Sequence, residues 1–546
     1  MKRYLFIILA ALGFAGCTEK LINTGSPDNK GELEKSYISV SLKSDDALTR
    51  ADDFEYGEAN ERYVENVHFF LFKSNGDAFP VNPAVGKNYL SFDLGSNGTQ
   101  PEESGEPDEG PNVSDVKDKI LVFNNYKGEY PTYIVAVLNW DADNLQPSYS
   151  LNNLYNTLAE IRNNNNHFVM STSVYSDMQG QVIKANVLGI DNIGKSEEEA
   201  KANPIDIYVE RISAKVQVEA RGDVADKDAT YDVNQSVGDI PVYSKVLNWE
   251  LYNEYHYSIV LKHIYPETWG LAGQIGFLWN DPNRFRSYWA GSYTGSFPSD
   301  NAFGWSEIGL EPGTDVAYCG ENTRQAEKDG EGYIIADPRT KVIIKAQLVK
   351  EDGTSMEVAN WYGHNYVGEQ AMRTEVASLL SSQIFYADGS DFKGIGEGDL
   401  KCMPGNAAPE GADVKAYEVF FQLSDTGLEK DWFIYSNAEG HVAATDDSIN
   451  ERLAVVEPAM VYKDGMTYYF TEIRHLGSAG SDSEYGVVRN HIYKINISDI
   501  KGFGTPVYDQ DIDIETPERP VDTKTYVAAE VRILSWKVVK NDYSVE

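Results

Sequence analysis

Eight histidines, three cysteines and 85 acidic side chains are the residues of this chain from which catalysis or metal binding could be built. The histidines are scattered at His68, His167, His256, His263, His364, His441, His475 and His491. None forms the His-Glu-x-x-His pair that puts two imidazoles on one helical face, and no cysteine pair has zinc-ligand spacing. A Gly-x-Ser-x-Gly nucleophile elbow is absent, as is a phosphate loop. Gly394-Ile395-Gly396-Glu397-Gly398 is glycine-rich, but neighbouring acids would repel a phosphate and no strand is expected before it, so it reads as a flexible loop. Carboxylate pairs for glycoside hydrolysis stay open, because sequence gives no separation between them. Most of the nine tryptophans lie in strand-like runs and read as core rather than as sugar platforms. The residues predict no catalytic site, no metal and no cofactor.

One cysteine has a definite chemistry. Lys2 and Arg3 precede the apolar run Tyr4 to Leu12, then Phe14-Ala15-Gly16 lead into Cys17. The run has the form of a signal peptide and is too short to span a bilayer, which takes about 20 apolar residues. The Cys17 context resembles a bacterial lipobox, in which the cysteine is lipidated after cleavage. An ordinary secretory signal is the other reading. Cys319 and Cys402 remain, either as one disulfide or as two buried thiols.

The 546 residues carry 47 Lys+Arg against 85 Asp+Glu, a net charge of −38 that disfavours nucleic acid and anionic membrane surfaces as partners. With 42% hydrophobic residues, 12% aromatics and 35 Tyr, the chain is too apolar for an acidic disordered protein.

Runs rich in β-branched and aromatic residues predict strands at Val64 to Phe72, Tyr133 to Trp140, Ile207 to Val218, Val342 to Leu348, Tyr468 to Ile473 and His491 to Ile497. Apolar spacing predicts two helices. One is capped by Ser150 and carries Leu151, Leu154, Tyr155, Leu158 and Ile161; the other carries Val376, Leu379, Leu380 and Ile384. Acidic, proline-bearing stretches at 100–111 and 509–522 read as loops, and a polar stretch at 194–204 suggests a domain boundary near 205. Many short strands with few helices predict an all-β protein of β-sandwich type.

The two ends are the most informative. Within Ser36 to Lys43, Ile38, Val40 and Leu42 share one face of a strand, with Ser39, Ser41 and Lys43 on the other. An acidic stretch follows and holds Arg50-Ala51, a bond open to a trypsin-like or Arg-specific protease. At the far end Val527, Ala529, Val531 and Ile533 share a face, after which the apolar parity passes to Leu534, Trp536 and Val538, as a bulge would allow. Were cleavage to free the first strand, an apolar groove with open edges would remain, and the C-terminal strand of another molecule could fill it. Repeated head to tail, that contact gives an open fibre. Two ordinary strands of one monomer is the alternative.

Gly486-Val487-Val488-Arg489-Asn490-His491-Ile492-Tyr493-Lys494-Ile495-Asn496-Ile497 and Val527 to Val538 are the residues through which the chain resembles the Bacteroidales fimbrillin family, and within it the subunits that build shafts of short (minor) fimbriae. Val209-Glu210-Arg211, Ala214-Lys215 and Glu321-Asn322-Thr323 support the likeness. The resemblance implies two transthyretin-like β-sandwich domains with a few short helices. It also implies lipidation at Cys17, delivery to the outer membrane, cleavage of Arg50-Ala51 by an Arg-specific protease, and polymerisation by exchange of the C-terminal strand. The expected plan is a lipoprotein signal (1–17), a propeptide strand (18–50), an N-terminal domain (51–205), a C-terminal domain (206–524) and a donor strand (525–546). Implied partners are copies of the chain, the protease, fimbrial anchor and tip subunits, and receptors on host or bacterial surfaces. A monomeric outer-membrane lipoprotein that acts as an adhesin or glycan-binding module is the competing reading, and an exported glycan hydrolase a third.

Overall fold

Alternation of apolar residues decides both which segments become strands and which core each strand enters. The computed structural model describes residues 32–43, 54–94, 119–173, 175–176, 182–183, 185–221, 229–263, 291, 304–330, 334–475, 484–512, 514 and 526–537. Among these the chain is mostly β-sheet with a few short helices.

The first body is built on a sheet whose main strands are β1 (Leu33–Lys43), β3 (Asn66–Phe72), β4 (Tyr89–Asp93), β5 (Lys119–Tyr126), β6 (Tyr133–Leu138), β7 (Met170–Thr172) and β8 (Ile205–Arg211); β2 (Phe54–Tyr56) leaves it for the second body. The order runs β1-β8-β7-β6-β3-β4, and β5 pairs with the other edge of β1. Strand β3 shows how the sheet is covered on both faces. Its Val67, Phe69 and Leu71 join one core with Ile38, Val40 and Leu42, while Phe70 and Phe72 join a second with Tyr149, Leu154, Val260 and Leu261. Because both faces are covered, Ser39 and Ser41 are buried as well, where alternation alone had pointed them outward.

The second body is a sandwich of two five-stranded sheets. One contains β12 (Val316–Gly320), β9 (Ser213–Ala220), β15 (His491–Lys501), β16 (Tyr526–Lys537) and β2, in that order. The other runs β10 (Thr230–Val237), β11 (Ile240–Tyr252), β13 (Lys341–Val349), β14 (Met466–Glu472) and a short strand Thr505–Pro506. Val216 and Val218 of β9 meet Ile344 and Ala346 of β13 and Trp249 of β11 in the core between them.

Four local expectations change. Ile207 to Val218, expected as one strand, is two: the ladder breaks at Ile212, with β8 in the first body and β9 in the second. The Ser150 helix stops at Tyr155, because Leu158 enters a strand that pairs with Tyr257–Ile259. The second helix is Gly368–Leu380, and Ile384 likewise opens a strand, leaving Leu379 exposed. A strand, Asp391–Gly394, does precede the glycine-rich loop, and Asp399 then accepts from the Gly396 N–H at 2.9 Å, where a phosphate would otherwise sit.

A third core lies inside the span expected to be one C-terminal domain. Trp361, Met372, Val376, Leu400, Phe421, Trp432, Ile449 and Val461 pack together between Val358 and Tyr462. Its ends meet: Val358 pairs with Tyr462 and Asn360 with Met460.

Candidate functional site

Strand β1 runs antiparallel to β5 and parallel to β8. Register sets Ile38 against Leu121 of β5, and Val40 and Leu42 against Ile205 and Ile207 of β8. Ile38, Val40 and Leu42 are fully buried, each contributing roughly 1.5–3 kcal/mol relative to exposure. Polar groups fix the other end of the strand. Ser36 Oγ donates to Asn125 Oδ1 at 2.8 Å, and Glu34 accepts from the Tyr130 hydroxyl at 2.8 Å and from Asn125 Nδ2 at 3.2 Å. The Tyr130 bond above all holds the Glu34 carboxyl below its usual range. Among the described residues, Ser39 Oγ is buried with no hydrogen-bond partner.

Strand β16 has the same kind of surroundings in the second body. It is antiparallel to β15, from Tyr526 against Lys501 to Ser535 against His491, and parallel to β2 through Ser535, Trp536 and Lys537. Val531 lies opposite Ile495, Ile533 opposite Tyr493 and Leu534 opposite Ile492. Val527 and Ala529 pack against the sandwich core. The bulge in this pair is on β15, between Ile497 and Asp499, so the parity change after Ile533 falls in an unbroken stretch of register. Thus β1 is 11 residues long, β16 is 12, and each has an antiparallel and a parallel neighbour; β1 has in addition a short antiparallel partner, Ile193–Gly194, at Tyr37 and Ile38.

Cys17, Arg50, Ala51 and Val538 lie outside the described residues. Arg50-Ala51 falls in the link from the end of β1 to the start of β2, so it separates a strand of the first body from a strand held by β16.

The sequence signatures other than β1 and β16 converge on a buried polar junction between the two bodies. Glu61, from the short helix Ala59–Arg62, accepts from Lys215 Nζ at 2.8 Å and from the Tyr318 hydroxyl, while Arg211 Nε donates to its backbone oxygen at 2.8 Å. Burial alone would raise the Glu61 pKa, but the bonds from Lys215 and Tyr318 outweigh it and hold the carboxylate ionised. Burial, reinforced by Glu61, raises the Tyr318 hydroxyl. Arg489, fully buried, donates through Nε to Glu321 at 3.1 Å and through its terminal nitrogens to the carbonyls of Val260 and Ile259. Lys262 and Glu210 form another buried pair at 3.6 Å. Asn490 N–H donates to Ser213 O at 2.7 Å, and Asn322 bridges to Val487. Each of these charges has an opposite charge or carbonyls against it, and on its Tyr318 side the junction borders a surface depression also lined by Arg162, Glu250 and His256. The sequence motifs hold Glu210, Arg211, Lys215, Glu321 and Arg489 but not Glu61, Tyr318 or Lys262, and they give no sign of the common location, which depends on pairs separated by more than 100 positions.

Cys319 and Cys402 are buried free thiols in different cores, raised in pKa by desolvation. Among the described residues no group of three or more His, Cys, Asp or Glu side chains could hold a metal ion. No helix among them is long and apolar enough to cross a membrane.

Residues 460–542 match the family model described as major fimbrial subunit protein type IV, fimbrillin, C-terminal. The match spans both C-terminal motifs on which the sequence resemblance rested. No curated protein matches. Among solved structures the chain is similar to a fimbrilin from Porphyromonas gingivalis, at 12% identity and a TM-score of 0.36, over 92% of this chain and 98% of that one. It is also similar to the tip fimbrial protein Mfa3 of that organism, with C-terminal truncation, at 10% identity and 0.32, over 92% and 100%. A fimbrial assembly protein from Parabacteroides distasonis aligns at 12% identity and 0.28, over 58% and 86%.

Proposed function

From the premise that its C-terminal segment belongs to the fimbrillin family, we propose that the chain is a structural, non-enzymatic subunit of a cell-surface fimbria. In this reading it forms the shaft and is exported as a lipoprotein precursor through Cys17. Cleavage of Arg50-Ala51 releases β1, and β16 of the next molecule enters the vacated groove between β5 and β8.

The observation that carries the reading is the equivalence of the two strands. A donor must present alternate apolar side chains to a groove and offer one antiparallel and one parallel edge. Strand β16 is the right length and already pairs in that pattern within its own body. Removal of β1 would expose Leu121, Phe123, Ile205 and Ile207, a surface that water disfavours and a hydrophobic strand would cover. Anchor and tip subunits would cap the fibre, and receptors would meet its sides.

The test is limited digestion of the purified precursor with an Arg-specific protease. High-mass ladders that resist SDS, with Ala51 as the new N-terminus, are the expected outcome. A folded, cleaved body that stays monomeric would sink strand exchange and favour the monomeric surface adhesin. Arg50→Ala should block both cleavage and assembly.

A further inference from the structure

A β-bulge in the second body creates a feature at odds with the chain's overall charge. Strands β11 and β13 are in register from Tyr243 to Val246 and again from Asn248 to Tyr252, with Leu247 as the extra residue. The bulge keeps both Val246 and Trp249 in the core, and it leaves Lys245 and Asn248 on the outer face beside Lys345. Over that face lies a cavity of about 910 Å³, lined in part by Arg221, Lys245, Asn248, Trp305, Glu311 and Lys345.

Three cations against one carboxylate is an unusual balance for a chain of net charge −38. The pairing is more unusual still. Lys345 is half-buried, with its Nζ 4.1 Å from the centre of the Trp305 ring and 3.5 Å from Ile308 O. Neither Lys345 nor Lys245 has a carboxylate partner among the described residues. Arg221 has only a loose, exposed one, Glu219 at 3.8 Å. Burial shifts the Lys345 ammonium down in pKa, the mark of a charge that lacks compensation. Trp305 is itself nearly covered, so its indole supports the lysine rather than offering a free stacking surface.

We propose that this cavity is a binding site for a carboxylate carried on a sugar, such as a uronic acid unit of a surface glycan. Lys345 and Lys245 supply the charge-assisted hydrogen bonds. The small walls at Ala220 and Ala229 leave room for a ring and offer contact to its carbon-bound hydrogens. The depression is broad and largely open to solvent, with room for one or two sugar rings laid against it. The proposal stands on the cavity alone and does not depend on polymerisation.

Titration of the full-length chain with a glucuronate-containing hyaluronan tetrasaccharide, followed by calorimetry, tests it. Neutral chitotetraose and a hexaglutamate peptide serve as the other arms. The expected result is saturable binding of the tetrasaccharide only, weakened about tenfold in Lys345→Met and restored in Lys345→Arg, with unchanged thermal melts. Lys245→Met gives the same readout should Lys345→Met unfold. Binding that is equal in the methionine variants, binding of chitotetraose as tight, tighter binding of the peptide, or no binding at all would each overturn the assignment.

Discussion

At the residue scale the buried charges of the junction matter most. Arg489 is fully buried and Glu321 nearly so, and a charge left without its partner there has no water to turn to. Glu321→Gln is expected to destabilise the chain by about 3–5 kcal/mol, read from the urea midpoint. Ser39 gives the opposite sign. Its hydroxyl is buried in β1 without a partner, so Ser39→Ala should stabilise the uncleaved chain by about 1 kcal/mol. Glu250 carries a pH dependence. Burial first, then the charge of Glu254, raises its pKa to about 7 from 4.5. A carboxyl whose folded pKa lies above its unfolded value binds more protons when folded, so stability falls as pH rises from about 4.5 to about 7 and stays lower above that. Glu250→Gln should therefore raise the melting temperature at pH 8 more than at pH 5, by an amount worth about 1 kcal/mol after allowance for partial exposure.

At the element scale, β1 and β16 are governed by register. Val40 faces Ile205 of β8 within a core that tolerates no charge, so Val40→Asp should abolish docking of β1 without touching β16. Proteolytic sensitivity at the β1–β2 link, measured against the parent chain, would report it. Deleting residues 526–546 should leave the first body folded and remove any capacity to donate. If chains so truncated still built ladders after cleavage, β16 would not be the donor.

At the scale of the whole molecule, the proposed loss of the N-terminal segment is nearly neutral in charge. Residues 1–50 hold seven Lys+Arg and six Asp+Glu, so their loss moves the net charge only from −38 to −39. In the proposed fibre, maturation would thus alter cohesion and leave the acidic exterior as it was, which would keep neighbouring fibres apart. The third core enters and leaves through one ladder, with Asn360 opposite Met460. Replacing residues 361–459 by a short glycine-bearing turn should therefore preserve the sandwich, as judged by a cooperative thermal melt.

What was legible in the sequence was whatever local pattern encodes. The apolar stripes of β1 and β16 follow from local alternation, and the strands around Val67, Val135, Ile344 and Ile495, with the β-rich class, from runs of β-branched and aromatic residues. Ser150 was legible too, as a capping residue before helical spacing, and its side chain accepts from Asn153 N–H. Three things were decided only by tertiary structure. The break at Ile212 divides a continuous apolar run between two bodies, because each half finds a different neighbour. Helical spacing at Leu158 and Ile384 yields to strand pairing, because a ladder to a distant segment outweighs one more helical turn. The junction of Glu61, Lys215, Glu321 and Arg489 exists only once segments far apart in the chain have met, and no local pattern carries that information. Local pattern therefore determined which residues would be strands, and long-range pairing decided which strands would be partners.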